Sequence, residues 1–311
     1  MRLIFAGTPD IAIPTLDALM DSDHDVVGVV TQPDARGRRG KTRHPSPVNE
    51  AAVGHGLTVL TPERASEPAF IDQVREWNAD AAAVVAYGQI LTPTLLETVR
   101  IGWINLHFSL LPTWRGAAPV QRAIMAGDEM TGATTFLIEE GLDTGPVIGA
   151  MTERVRGDDT AGELLARLAD AGAPLMVQSL AALDSGAATP VRQSDEGVSY
   201  AHKLTREDAH VAWERPAHVV DRQIRGCTPA PGAWTTLPDG TMAKLGPVTL
   251  VEHASGSVPG QLAVDGDEVH VGTGSGRVAL SWIAPAGKKA MPAAQWWRGA
   301  RLSTSAVLGE T

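Results

Sequence analysis

The segment Ala81-Ala82-Ala83-Val84-Val85-Ala86 has no polar position. A strand of that composition has no face suited to water, so it must be covered on both sides, as in the middle of a sheet. Apolar runs also stand at 2–6, 26–31 and 102–108, with helix-like stretches at 11–20 and 93–99. Buried strands that alternate with helices predict an α/β domain with a parallel, doubly wound sheet. The first turn offers only Gly7 and lacks the Gly-x-Gly-x-x-Gly that brings a backbone up to a pyrophosphate, so NAD and FAD are not expected.

Further along, 117–127 reads as a helix and 134–139 and 147–155 as strands. Asp158-Asp159-Thr160 then caps a long helix, which Ser185-Gly186 stops after Leu183. The stretch 187–205 has no sustained periodicity, and 217–226 returns to helical spacing. Beyond Trp234 short strands at 244–245, 248–251, 268–271 and 278–282 alternate with Gly and Asp turns, the texture of a small β-barrel. A chain of 311 residues can bury two cores. The expected division is a catalytic domain at 1–186, a linker at 187–206 and a C-terminal domain at 207–311.

No apolar run approaches the ~18 residues that a membrane span needs, so no membrane partner is expected. The opening apolar run is short and leads directly into a segment containing Asp10, which suits a buried first strand better than a signal peptide. Cys227 is the one cysteine, which excludes an internal disulfide and a Cys-rich zinc site. A cytoplasmic enzyme is the expectation. The formal net charge is −10, yet Arg36, Arg38, Arg39, Lys41 and Arg43 crowd one short segment. From Glu207 onward nine Lys/Arg face ten Asp/Glu, so the acid excess lies mostly in the earlier part. That distribution is compatible with a nucleic-acid partner and does not require one.

The chemistry concentrates in Ile104-Asn105-Leu106-His107-Phe108-Ser109-Leu110-Leu111-Pro112 and in Glu140-Gly141-Leu142-Asp143-Thr144-Gly145-Pro146. Strand spacing puts Asn105 and His107 on one face just before a Pro/Gly-rich loop. A histidine alone on an apolar strand is more often a satisfied core residue, and Asp143 between glycines can simply shape a turn. Together, an amide donor, an imidazole and a carboxylate near the end of an apolar strand favour proton transfer and oxyanion stabilisation. Spacing alone does not name the reaction.

The runs Asn-Leu-His-Phe-Ser-Leu-Leu-Pro-x-x-Arg-Gly-Ala-Ala-Pro-Val-Gln and Gly-Leu-Asp-Thr-Gly resemble those of the 10-formyltetrahydrofolate-dependent formyltransferases. Phe5-Ala6-Gly7-Thr8-Pro9, Thr31-Gln32-Pro33-Asp34, Val85-Ala86-Tyr87-Gly88 and the C-terminal Trp297-Arg298-Gly299 extend the likeness to the branch that acts on tRNA. The resemblance implies a Rossmann-like catalytic domain followed by a C-terminal OB-like β-barrel that binds tRNA. It implies 10-formyltetrahydrofolate as formyl donor, the amino group of initiator methionyl-tRNA as acceptor, no metal, and a monomer. Asn105, His107 and Asp143 take the catalytic positions. Tyr87, Gly88, Gln89, Ile90 and Leu91, with Ser109, Leu110, Leu111, Pro112 and Asp143, take those of the reduced folate, the first group meeting the pterin largely through backbone. A cis Leu111–Pro112 bond is expected. Arg115 would approach the folate's glutamate or brace its loop. Arg36, Arg38, Arg39, Lys41, Arg43 and Lys203 are the expected tRNA contacts; Trp296 and Trp297 are expected to stack on bases or fill the core.

Three other readings share some of these features. An amino-sugar-nucleotide formyltransferase uses the same trio but needs a nucleotide pocket, and no phosphate-cradling glycine loop is visible. Glycinamide ribonucleotide formyltransferase would be shorter, with a Gly/Ser loop where Gly7-Thr8-Pro9-Asp10 stands. A non-catalytic tRNA- or folate-binding protein would lack one of Asn105, His107 and Asp143, and all three are present.

Overall fold

The computed structural model describes residues 1–36, 43–251, 258–303 and 305–309. Along the chain run β1 (Arg2–Gly7), α1 (Ile13–Met20), β2 (Asp25–Val30), β3 (Ala35–Arg36), β4 (Arg43–His44), α2 (Pro47–Gly54) and β5 (Val59–Leu60). There follow α3 (Pro68–Glu76), β6 (Ala81–Val85), α4 (Pro93–Leu96), β7 (Gly102–His107), α5 (Pro119–Ala126), β8 (Met130–Leu137) and β9 (Val147–Arg154). The long α6 (Ala161–Asp184) and α7 (Ala217–Gly226) lead to β10 (Trp234–Thr236), β11 (Met242–Leu245), β12 (Val248–Val251) and β13 (Leu262–Asp265). The last elements are β14 (Glu268–Gly272), β15 (Arg277–Leu280), β16 (Trp282–Pro285), β17 (Met291–Pro292) and α8 (Ala293–Ala300).

Two compact units emerge, each assembled from three stretches of chain. One holds Met1–Gly116, Met130–Arg154 and Leu165–Ala201; the other holds Ala117–Glu129, Val155–Leu164 and His202–Thr311.

The first unit is built on a seven-stranded sheet in the order β5-β2-β1-β6-β7-β8-β9. Every residue of β6 is buried, as its apolar sequence demands. Strands β5, β2, β1, β6 and β7 are parallel, whereas β8 runs antiparallel to both β7 and the edge strand β9. The expectation of a parallel sheet is therefore corrected at that edge. The chain re-enters beside β7 in the opposite direction after α5, and residues 138–146 are then too short a connection for a crossover, so β9 returns antiparallel to β8. The chain steps outward from β1 through β2 to β5, then returns to lay β6 on the other side of β1. Open α/β sheets bind ligands at the carboxyl ends of strands where the order reverses in this way.

In the second unit, two four-stranded antiparallel sheets, β10-β11-β16-β17 and β12-β15-β14-β13, give the architecture of an OB-like barrel. Its core gathers Trp213, Val220, Ile224, Leu245, Val271 and Ile283. Trp213 buries its indole and still satisfies Nε1 by donating to Thr235 Oγ1 at 3.0 Å. Trp296 is buried in the same core and Trp297 packs partly against it, which favours packing over stacking for both. Burial pushes the lone thiol of Cys227 up to about 11, leaving it protonated near neutral pH. The expected cap of α6 is present as a reciprocal pair: Glu163 N donates to Thr160 Oγ1, and Thr160 N donates to Glu163 Oε2.

Candidate active site

Asn105 and His107 lie at the carboxyl end of β7, where Asn105 is paired with Val84 of β6 and Phe136 of β8. His107 is 5% exposed, with its ring edge-on to Phe136. Its Nε2 donates to the carbonyl of Trp114 at 2.9 Å. A carbonyl can only accept, so Nε2 carries the proton of the neutral ring and Nδ1 is the basic nitrogen. Nδ1 faces Asp143 Oδ2 at 3.7 Å, beyond a direct hydrogen bond but close enough for an ion pair once the ring is protonated. The bond that orients the imidazole thus comes from the Trp114 carbonyl, and the carboxylate acts through its charge.

Burial pushes the pKa of His107 below its ordinary value; Asp143 and the Trp114 carbonyl pull it upward without overcoming burial. Asp143 does favour the imidazolium, but a desolvated imidazolium is penalised more than one carboxylate at this distance repays. A neutral ring near physiological pH is the state a proton acceptor needs. Asn105 is half-buried, and among the described residues its side-chain amide makes no hydrogen bond, which leaves it open to a ligand oxygen.

Asp143 itself sits at φ +50°, a left-handed conformation that Asp tolerates better than most residues. Its Oδ2 accepts the backbone N–H of Gly116 at 2.7 Å. Gly116 must be glycine: its φ is +121°, and a Cβ there would stand 2.8 Å from the carbonyl oxygen of Ala201. A Cβ at Gly145 would overlap the carbonyl oxygen of Leu137, so the turn that carries Asp143 depends on that glycine too.

The loop after β7 is stapled from two sides. Thr134 of β8 donates to the Ser109 carbonyl and accepts from Leu111 N, and buried Ser109 donates to the Thr113 carbonyl. On the other side, Trp114 N donates to Ser199 Oγ, Arg115 N to the Ser199 carbonyl, and Ala201 N to the Arg115 carbonyl. Leu111–Pro112 is cis, as expected. Leu110, Leu111 and Pro112 remain half-buried along the rim. Arg115 is buried, and its guanidinium binds the Gln193 side chain, so it braces the loop.

The loop after β6 presents backbone. Tyr87 and Leu91 turn their side chains into the core, and burial holds the Tyr87 phenol well above its ordinary value. The Tyr87 carbonyl is taken by Thr8 Oγ1 and Gln32 Nε2. Gln89 spends its side chain on Ala65 N, the Pro62 carbonyl and Gln32. Among the described residues, the backbone N–H and C=O groups of Gly88, Gln89, Ile90 and Leu91 have no protein partner. Ile90 is 90% exposed beside them. Open backbone groups next to an exposed apolar side chain suit a flat heterocycle with a polar edge. Among the described residues no group of three His, Cys, Asp or Glu is placed to hold a metal ion.

Of the expected tRNA contacts, Arg38, Arg39 and Lys41 lie outside the described residues. Arg36 belongs to β3, which pairs with β4 through Ala35↔His44 and Arg36↔Arg43. Arg43 and Lys203 are exposed. Trp114, Gln193 and Ser199 were not foreseen: none belongs to a periodic segment, and only hydrogen bonds made across some 80 residues of chain reveal them.

Residues 1–180 match the formyl transferase family, and residues 203–301 match its C-terminal domain. Together with the open amide, buried imidazole and facing carboxylate, this makes the chain a formyl transferase. It belongs to the methionyl-tRNA formyltransferases. It is 53% identical to that enzyme of Mycobacteroides abscessus over 97% of this chain and 98% of the relative. It is also 53% identical to that of Thermobifida fusca over 100% of both. Among solved structures, WlaRD, a sugar 3N-formyl transferase determined in the presence of dTDP and 5-N-formyl-THF, aligns with a TM-score of 0.66 at 16% identity, covering 93% of this chain and 99% of that one. HypX from Aquifex aeolicus in complex with tetrahydrofolic acid aligns with a TM-score of 0.66 at 18% identity, over 96% of this chain and 47% of that one. At such identities the likeness is one of fold. No helix among the described residues is long and apolar enough to cross a membrane.

Proposed function

We propose that the chain transfers the formyl group of 10-formyltetrahydrofolate to the free amino group of initiator methionyl-tRNA, with Asn105, His107 and Asp143 as the catalytic residues. The observation that carries this reading is the unpartnered Asn105 amide one strand step from a buried, neutral imidazole whose basic nitrogen faces a carboxylate at 3.7 Å. The amine nitrogen forms a bond to the formyl carbon, and the bond from that carbon to N10 breaks. Asn105 donates to the formyl oxygen as it gains negative charge, a role worth about 3 kcal/mol in other acyl-transfer sites. His107 takes the amine's proton on Nδ1 and returns it to the departing N10, so the ring ends as it began. Asp143 stabilises the imidazolium in between.

The backbone of 88–91, Ile90 and the rim Leu110-Leu111-Pro112 receive the folate, with Ser109 and Tyr87 holding those loops from behind. The basic segment with Arg36, Arg38, Arg39, Lys41 and Arg43 meets the acceptor end of the tRNA, and Lys203 adds a phosphate contact. One chain carries the whole trio, so a monomer suffices, acting in the cytoplasm. The test offers 10-formyltetrahydrofolate with methionyl-tRNA, glycinamide ribonucleotide or an amino-sugar nucleotide. Formylation of methionyl-tRNA alone is expected; preference for either small amine would overturn the reading.

A further inference from the structure

We propose that Gln193 is a positioning residue for the reaction: its amide clamps the turn that carries Asp143 and so holds the carboxylate opposite His107 Nδ1. Asp143 has a left-handed backbone, which Asp adopts at some cost and which surrounding bonds hold in place. Its carboxylate contributes one bond, from Gly116 N. The Leu137 N–H closes the turn at the Pro146 carbonyl, and within the turn the restraint comes from Gln193, whose Nε2 donates to the carbonyl of Asp143 and to that of Gly145, both at 2.8 Å. A single NH2 group therefore spans the turn on both sides of Thr144.

The other end of the amide explains why it cannot rotate. Gln193 Oε1 accepts from Arg115 Nε at 3.0 Å and from Arg115 Nη2 at 2.7 Å. Turning the amide over would set two donors against the guanidinium and an acceptor against two carbonyls, with both side chains buried. Among the described residues no carboxylate lies within ion-pair distance of Arg115. A buried cation is paired better by a carboxylate than by a neutral amide. A glutamate at 193 would suit Arg115, but it could not donate to the Asp143 and Gly145 carbonyls. The residue in place is the one that satisfies Arg115 and still has two protons to give.

That contrast supplies the experiment. Gln193→Glu keeps the acceptor for Arg115 and removes the donors to the turn. In the full chain, kcat for formylation of methionyl-tRNA should fall roughly ten- to a hundredfold, the penalty of a misplaced catalytic group, with KM for both substrates changing far less. Thermal unfolding is followed alongside, since the Arg115 pairing is kept while the donors to the turn are lost. The His107 ring, followed by NMR in the free protein, should titrate at lower pH than in wild type, because its anionic neighbour has moved. In an Asp143→Asn background the same change should cost nothing further.

Wild-type kcat and wild-type His107 titration in Gln193→Glu would overturn the proposal, as would an equal loss in both backgrounds. Should Gln193→Glu melt early, Gln193→Met, which removes the clamp without adding charge, is put through the same measurements, and wild-type values there overturn it equally. The proposal rests on the formyl-transfer reading. That reading fails separately, if the wild-type chain formylates nothing, and the His107 titration reports on Gln193 in either case.

Discussion

Asp143→Asn isolates the charge of the carboxylate, since asparagine keeps the size of the side chain and an oxygen that can accept the Gly116 N–H. Unit charges 3.7 Å apart attract by about 4 kcal/mol at an effective dielectric near 20, the value suited to such sites. If the ring has gained about half a proton's charge in the transition state, about 2 kcal/mol of stabilisation is lost, roughly a thirtyfold fall in turnover. Single-turnover formylation of methionyl-tRNA, measured across pH, reads both the size and the sign. Activity requires the neutral ring, so it rises as pH passes upward through the His107 value, which burial already depresses. Without the carboxylate that value drops further, and the acid limb should move to lower pH. His107→Ala should lose more than Asp143→Asn, and adding Asp143→Asn to it should change little, because the two act as one unit. Losses that multiply, or an acid limb that stays put or moves upward, would refute the pairing.

His107 also ties folding to pH. Its depressed folded-state value means the unfolded chain binds the proton more readily, so its stabilising contribution is full above about pH 6.5 and is lost as pH falls through the folded-state value. Urea unfolding of His107→Gln should accordingly show a shallower loss of stability on acidification than wild type. Gly145→Ala pushes a methyl group into the Leu137 carbonyl and should cost about 1–3 kcal/mol of stability, together with most of the activity, measured by melting and turnover. Neutralising Arg36, Arg38, Arg39, Lys41 and Arg43 should weaken use of tRNA and spare folate binding. For every phosphate that this segment no longer neutralises, the log–log salt dependence should flatten by about 0.7 to 0.9.

What could be read from the chain alone followed burial. The apolar runs became β1, β2, β6 and β7, and Asn105 and His107 fell at the strand end where their spacing put them. The helix at Ala217–Gly226 and the cap at Thr160 were legible because their signals are local. The antiparallel edge formed by β8 and β9 was not, since strand direction depends on where the chain returns rather than on what it contains. Nor was the role of 187–201. Gln193, Ser199 and Ala201 lie in a segment without periodicity, yet they fix Arg115, Trp114 and the Asp143 turn. The sequence shows the carboxylate partner of His107 but not the desolvation that outweighs it, which is a property of the packed site.

Helix α5 has a consequence for how the chain comes off the ribosome. It belongs with the second unit, where its Gln121 and Met125 meet α7 at Gly226, and Arg122 pairs with Asp208 at 3.3 Å. Roughly ninety residues separate the end of α5 from the start of α7. At about 5–20 residues per second, α5 waits about 5–20 s before its partner emerges. During that interval the surface meant for α7 stays open, while the strands on either side of α5 in sequence, β7 and β8, are already free to pair. The order of synthesis thus sets a minimum delay between forming the sheet and closing the barrel unit, and a stalled ribosome would leave this helix as the exposed element.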